Sequence, residues 1–167
     1  DPMFRALVET ESILNIHLGS SGQLSITAPD APIDVMITLQ PMNICQAAAD
    51  LLWSRVVKQF PDLRIALSEG GTGWIPYFMD RLDRTYDMHH AWTGQQFDEM
   101  PSEVFKKHFL TCFITDPVGV ALRNQIGIDS MLWNTGKGMR LEGLVKAGAY
   151  YNAATQTSGY FYTNTAP

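Results

Sequence analysis

Pro61-Asp62-Leu63-Arg64-Ile65-Ala66-Leu67-Ser68-Glu69-Gly70-Gly71-Thr72-Gly73 is the stretch on which the fold turns. Pro61-Asp62 stops the segment before it. Leu63 to Leu67 is mostly apolar and of strand length, Ser68-Glu69 ends it in polar groups, and the glycines that follow make a tight turn. Behind the turn, Ile75, Phe78, Met79, Leu82 and Tyr86 recur at helical spacing, with Pro76 tolerated in the first turn. A strand, a glycine turn and a helix make the repeating unit of a parallel α/β sheet.

The unit repeats on both sides. Upstream, residues 3–12 read as a weak helix, and Ile13-Leu14-Asn15-Ile16-His17-Leu18 reads as a buried strand broken by Gly19-Ser20-Ser21-Gly22. Residues 23–33 read as loop. From about Asn43 to Phe60 a single helix is expected, with Cys45, Ala48, Ala49, Leu52 and Val56 on one face. Downstream come a polar loop over 91–100, a short helix from Pro101 to about His108 and a strand over Phe109–Ile114. Another helix is opened by Asp116 as N-cap with Pro117 behind it, and a last strand covers Ser130–Trp133. The expected fold class is α/β: about the second half of an incomplete (β/α)8 TIM barrel, parallel strands with covering helices. A whole barrel takes about 250 residues, and this sequence has 167.

Composition narrows the function classes. Hydrophobic residues make up 46% and charged residues 17%, enough apolar material for a core. The formal net charge is −5 with the acidic residues scattered, so neither a nucleic-acid partner nor an anionic membrane is expected. No apolar run approaches the roughly 20 residues that span a bilayer, and no charged segment leads into a hydrophobic one at the start. Cys45 and Cys112 sit among apolar neighbours without C-x-x-C spacing and read as buried reduced thiols of a cytoplasmic protein. The first residue is Asp1, so the expectation is a chain that was processed, trimmed or read from an incomplete gene.

In parallel α/β folds, ligands bind at the C-terminal ends of the strands. The four strands end at His17, Glu69, Thr115-Asp116 and Asn134-Thr135. Imidazole is a common metal ligand, although a lone His in an apolar run is more often a core histidine, and zinc wants three or four ligands. A carboxylate at a strand end serves as general base, metal ligand or substrate anchor, or it caps a helix or pairs with an Arg. Glycines after Glu69 permit close approach of substrate or backbone. Asp116 fits an N-cap better than a catalyst. Ser20 and Ser21 lack a nucleophile-elbow context, the glycine turn lacks the Walker lysine, and His89-His90 is expected on the surface beyond its helix.

Five stretches in this order carry a resemblance: His17-Leu18-Gly19-Ser20-Ser21-Gly22, Pro61 through Gly71, Gly73-Trp74-Ile75-Pro76-Tyr77, Leu82-Asp83-Arg84 and Asp116-Pro117-Val118-Gly119. Together they resemble the amidohydrolase-related TIM-barrel proteins, in the branch that includes aminocarboxymuconate semialdehyde decarboxylase. The resemblance covers roughly residues 1 to 135. It implies a metal-dependent hydrolase or non-oxidative decarboxylase acting on a small-molecule substrate, a carboxylate or amide. A divalent metal, usually zinc, would sit in the barrel mouth. His17 matches a metal-ligand histidine, and Glu69 falls where the decarboxylases carry a catalytic histidine. Ser20, Gly70 and Trp74 fall where substrate is contacted.

The departures are specific. The family's H-x-H pair would lie before Asp1. Trp133 is followed by Asn134-Thr135-Gly136, which puts Gly136 where the family has an acidic ligand. The expected division is therefore 1–136 as family domain and 137–167 as a divergent tail, joined by a frame change or a mis-joined exon near residue 136. In that tail Leu141, Leu144, Val145 and Gly148 form at most a helix face, and 154–167 read as loose. With one of the usual ligands present, this chain alone is expected to be inactive. A half-barrel exposes strand edges and an apolar face, so self-association is expected, and a catalytically dead interaction or dimerisation module is the alternative.

Overall fold

The computed structural model describes residues 1–133, 139–140, 150–152 and 157–159. Four strands, β1 (Ile13–His17), β2 (Arg64–Ser68), β3 (Phe109–Phe113) and β4 (Met131–Trp133), lie side by side in chain order, each parallel to the next. His17 stands opposite Ser68, Ile65 opposite Phe109, and Thr111 opposite Met131. That register brings the C-terminal ends of β1, β2 and β3 to one rim of the sheet.

Strand alternation sorts the side chains between two faces. Ile65, Leu67, Phe109, Phe113 and Met131 join the apolar cluster built with Ile44, Ala48 and Leu52 of α3 (Met42–Trp53), Ile75, Phe78, Met79 and Leu82 of α5 (Ile75–Thr93), and Phe105 of α6 (Pro101–His108). Phe105 stacks on Phe109 with ring centroids 4.8 Å apart, and Phe78 meets Phe105 edge-on at 5.6 Å. The opposite face carries Asn15, His17 and Ser68, with Ser68 donating to Asn15 Oδ1 at 3.2 Å. Shorter helices complete the described part: α1 (Pro2–Glu9), α2 (Ile33–Leu39), α4 (Val56–Gln59), α7 (Pro117–Ala121) and α8 (Arg123–Ile126).

The order of β-α units agrees with the sequence reading, while several boundaries differ. β1 is an edge strand with alternating exposure, and its Ile13 is exposed, because the described sheet has no neighbour on that side. The single helix over 43–60 is two. Ser54 Oγ donates to the Leu51 carbonyl at 2.6 Å and accepts from the Val56 amide at 3.1 Å, drawing backbone groups out of the helical ladder. Helix α2 starts directly after Pro32, so that Ile33, the last residue of the stretch read as loop, already belongs to it. Helix α5 runs through the two histidines to Thr93 and ends on Gly94 in the left-handed conformation, so His89 and His90 belong to its last turns. Cys112 is buried but Cys45 only half-buried, and both are free thiols.

Among the described residues three short strands follow β4. β5 (Met139–Arg140) returns antiparallel along β4, while β6 (Tyr150–Asn152) and β7 (Thr157–Gly159) pair with each other. The loose reading of 154–167 is therefore corrected at 157–159, where backbone pairing outweighs the polar composition. The helix face suggested for 141–148, like Asn134, Thr135 and Gly136, lies outside the described residues.

Candidate functional site

The rim formed by β1, β2 and β3 carries His17 and Glu69, which meet, and Asp116, whose oxygens turn to Thr72, Gly73 and Gly119 instead. His17 closes β1, with its side chain 57% exposed. Its Nδ1 lies 2.8 Å from the Leu18 carbonyl, which fits an Nδ1–H donor. In the neutral ring that choice leaves the lone pair on Nε2. Nε2 lies 3.0 Å from Glu69 Oε2. The two groups hold together either with a proton on Nε2 or with a cation taken up by the lone pair and the carboxylate.

Glu69 sits one residue past β2 with φ of +64°, a left-handed conformation that costs a non-glycine residue about 1–2 kcal/mol. Its neighbours hold it there. Gly70 is pressed on α3, since a Cβ at that position would lie 2.6 Å from Ile44 Cγ2. The Trp74 indole N–H reaches the carbonyls of Gly70 and Gly71 at 3.0 and 3.1 Å, and its ring meets Phe78 edge-on. Asp116 Oδ2 accepts from the amides of Thr72 and Gly73 at 2.5 and 2.8 Å and from Thr72 Oγ1 at 3.1 Å, while Oδ1 accepts from the Gly119 amide at 2.8 Å. Burial pushes the Asp116 carboxyl up, but these hydrogen bonds outweigh it and hold the group below its ordinary value. The Cys112 thiol, also held near the Glu69 backbone, is pushed up chiefly by burial.

The loop after β1 is anchored separately. The Ser20 amide closes a turn on the His17 carbonyl at 3.0 Å, and the Ser20 side chain stands exposed at the rim. Its neighbour Ser21 donates to Asn43 Oδ1 at 2.8 Å, and Asn43 in turn donates to Ser25 Oγ. Of the candidates named from sequence, His17 and Glu69 come into contact. Gly70 and Trp74 act on the loop that carries Glu69, and Ser20 remains at the rim. Sequence reasoning missed the buried Asn43 and Thr72 and the second task of Asp116. The residues Asp116 grips at 72 and 73 lie 44 and 43 positions away, and no local spacing signals them.

A divalent cation would find one imidazole nitrogen and one carboxylate here. This donor set fits part of a site: imidazole suits zinc and carboxylate suits manganese or magnesium. Among the described residues no group of three or more His, Cys, Asp or Glu assembles, so any further protein ligands would have to come from outside them. No helix among the described residues is long and apolar enough to cross a membrane.

The sequence model of the amidohydrolase family matches residues 1–136. No curated protein matches the chain significantly. Among solved structures, an amidohydrolase from Mycobacterium avium subsp. paratuberculosis superimposes with a TM-score of 0.66 at 22% identity, over 84% of this chain and 38% of that one. The 5-carboxyvanillate decarboxylase of Sphingomonas paucimobilis gives 0.59 at 22% identity, over 79% and 41%. A dihydroxybenzoic acid decarboxylase from Polaromonas, solved with bound manganese and 2-nitroresorcinol, gives 0.55 at 17% identity, over 79% and 41%. The chain thus spans 38% to 41% of the length of these neighbours. At these identities the likeness establishes the fold, four parallel strands of a TIM barrel with covering helices.

Proposed function

This chain belongs to the amidohydrolase family, and we propose that it contributes His17 and Glu69 to a metal-dependent site that decarboxylates or hydrolyses a small carboxylate or amide. The observation that carries the reading is the 3.0 Å approach of His17 Nε2 to Glu69 Oε2 at the C-terminal ends of adjacent parallel strands. Decarboxylation is the preferred branch, because two of the three neighbours described above bear that name. A bound divalent ion, zinc by family habit or manganese as in one neighbour, would supply polarisation of a substrate oxygen. His17 would hold it through Nε2, with Nδ1 kept in place by the Leu18 carbonyl. Glu69 would carry the proton that replaces the departing carboxylate carbon on the substrate. Trp74 would bear on substrate through the loop it braces, and Ser20 and Gly70 would border the entrance.

A single imidazole holds a cation weakly, so the 167-residue chain by itself is expected to turn over no substrate. The test is manganese titrated into the isotopically labelled chain. Paramagnetic broadening centred on the His17 ring, abolished in His17→Ala, supports the site. Broadening that ignores His17→Ala refutes it.

A second reading rests on the edge of β1, which has no neighbour among the described residues, and on the exposed Ile13, Leu24, Ile26, Ile33 and Ile37. On it the chain is an interaction module that self-associates. A monodisperse monomer by light scattering, across a hundredfold range of concentration, counts against it.

A further inference from the structure

Asp116 divides its two oxygens between two elements. Oδ1 caps α7 through the Gly119 amide, which is all that an N-cap requires. Oδ2 leaves its own element and gathers the amides of Thr72 and Gly73 together with the Thr72 hydroxyl. Thr72 is fully buried, and Gly119 comes so close that a Cβ there would lie 1.9 Å from Thr72 Oγ1. The β2–α5 loop is thus gripped through its N–H groups by Asp116 and through its carbonyls by the Trp74 indole. Glu69, which directly precedes this gripped loop, has a left-handed conformation, and its carboxylate is the one that meets His17.

On the site reading given above, we infer that Asp116 is a positioning residue: it clamps the Gly71–Gly73 turn, with Trp74 as counter-clamp, so that Glu69 is presented to His17. Were Oδ2 removed, the amides of Thr72 and Gly73 would lose their acceptor. Glu69 would then relax toward an extended backbone and its carboxylate would leave the imidazole. The low-lying Asp116 carboxyl agrees with a group that works as an anion.

Asp116→Ser separates the two tasks, because serine keeps the N-cap and cannot reach the turn. The readout is the His17 ring nitrogens in long-range proton–nitrogen spectra of the whole chain at one pH, with Glu69→Gln marking the broken pair. The expected result is that Asp116→Ser moves His17 Nε2 toward its Glu69→Gln position, while the Thr72 and Gly73 amides exchange at least about tenfold faster. Faster exchange with His17 Nε2 unmoved would overturn the proposal, leaving Asp116 a loop tether only. Should Asp116→Ser not fold, Trp74→Phe, which deletes the indole N–H and keeps a ring, carries the same comparison. The metal reading fails separately: if manganese leaves wild-type His17 sharp while Asp116→Ser still displaces it, the positioning role stands and the metal site does not.

Discussion

Replacing Gly70 by alanine tests whether this glycine exists for packing or for substrate access. The new methyl would meet Cγ2, Cβ and Cγ1 of Ile44 at 2.6, 2.7 and 2.8 Å, against a lower bound of 3.4 Å for ordinary contact. The worst overlap is therefore 3.4 − 2.6, about 0.8 Å. Ile44 is 1% exposed and locked in the cluster with Leu67, so it has nowhere to turn. Forcing a methylene into such a core costs about 1–3 kcal/mol. In a chain of this length each kcal/mol lowers Tm by about 2–4 °C. Urea unfolding followed by tryptophan fluorescence should show a lower midpoint with an unchanged slope. Ile44→Ala alone should cost about 2–5 kcal/mol. The double variant should cost less than the sum by about 1 kcal/mol or more, because the alanine methyl enters the space Ile44 vacates. Strict additivity, or a Gly70→Ala chain as stable as wild type, would refute the packing argument and return Gly70 to a substrate-facing role.

Two pH effects follow from groups the structure holds away from their ordinary values. His108 is buried, its Nδ1 lies 2.8 Å from the Leu63 carbonyl, and burial chiefly lowers its pKa. Below about pH 6.5 the unfolded chain takes up a proton that folded His108 resists, so stability should fall with pH through that window. His108→Gln should flatten the slope in urea titrations between pH 7.5 and 5, and an unchanged slope would count against the assignment. Asp116 lies the other way: its folded pKa is lowered, so its contribution is complete above about pH 3.9 and is lost as pH falls toward the folded value. Asp116→Asn should lose that acid-range dependence, and thermal melts between pH 5 and 2.5 that superimpose on wild type after normalisation would contradict it.

The strands and the order of β-α units were legible because each carries its own signal. Leu63 to Leu67 is a bounded apolar run, and Asp116-Pro117 is a helix start written in two adjacent residues. Where the reading failed, a competing local interaction or an absent neighbour decided. Ser54 broke a helix that periodicity carries through to Phe60, Gly94 set the end of α5 beyond the expected loop boundary, and β1 lost burial to its place at the edge. Half of the candidate site was legible too. His17 and Glu69 stand out as polar groups ending apolar runs, and the parallel register needed to join them follows from the β-α order. The contacts of Trp74 with the Gly70 and Gly71 carbonyls and of Gly70 with Ile44 were not legible, because both depend on which atoms lie within reach.

By itself, then, the sequence determined the layer architecture, the rim on which polar groups collect and the family, because periodicity, glycine turns and helix caps act over a few residues and need no distant partner. Only the tertiary structure decided that Glu69 takes a left-handed backbone, that its carboxylate meets His17, and that Asp116 spends one oxygen on a helix and the other on a loop 43 and 44 residues away. Those outcomes rest on distances of about 3 Å between segments far apart in the chain. Such distances are set when α3, α5 and the sheet close on a common core, since a hydrogen bond needs its partner placed to within a few tenths of an ångström, and no local pattern encodes that.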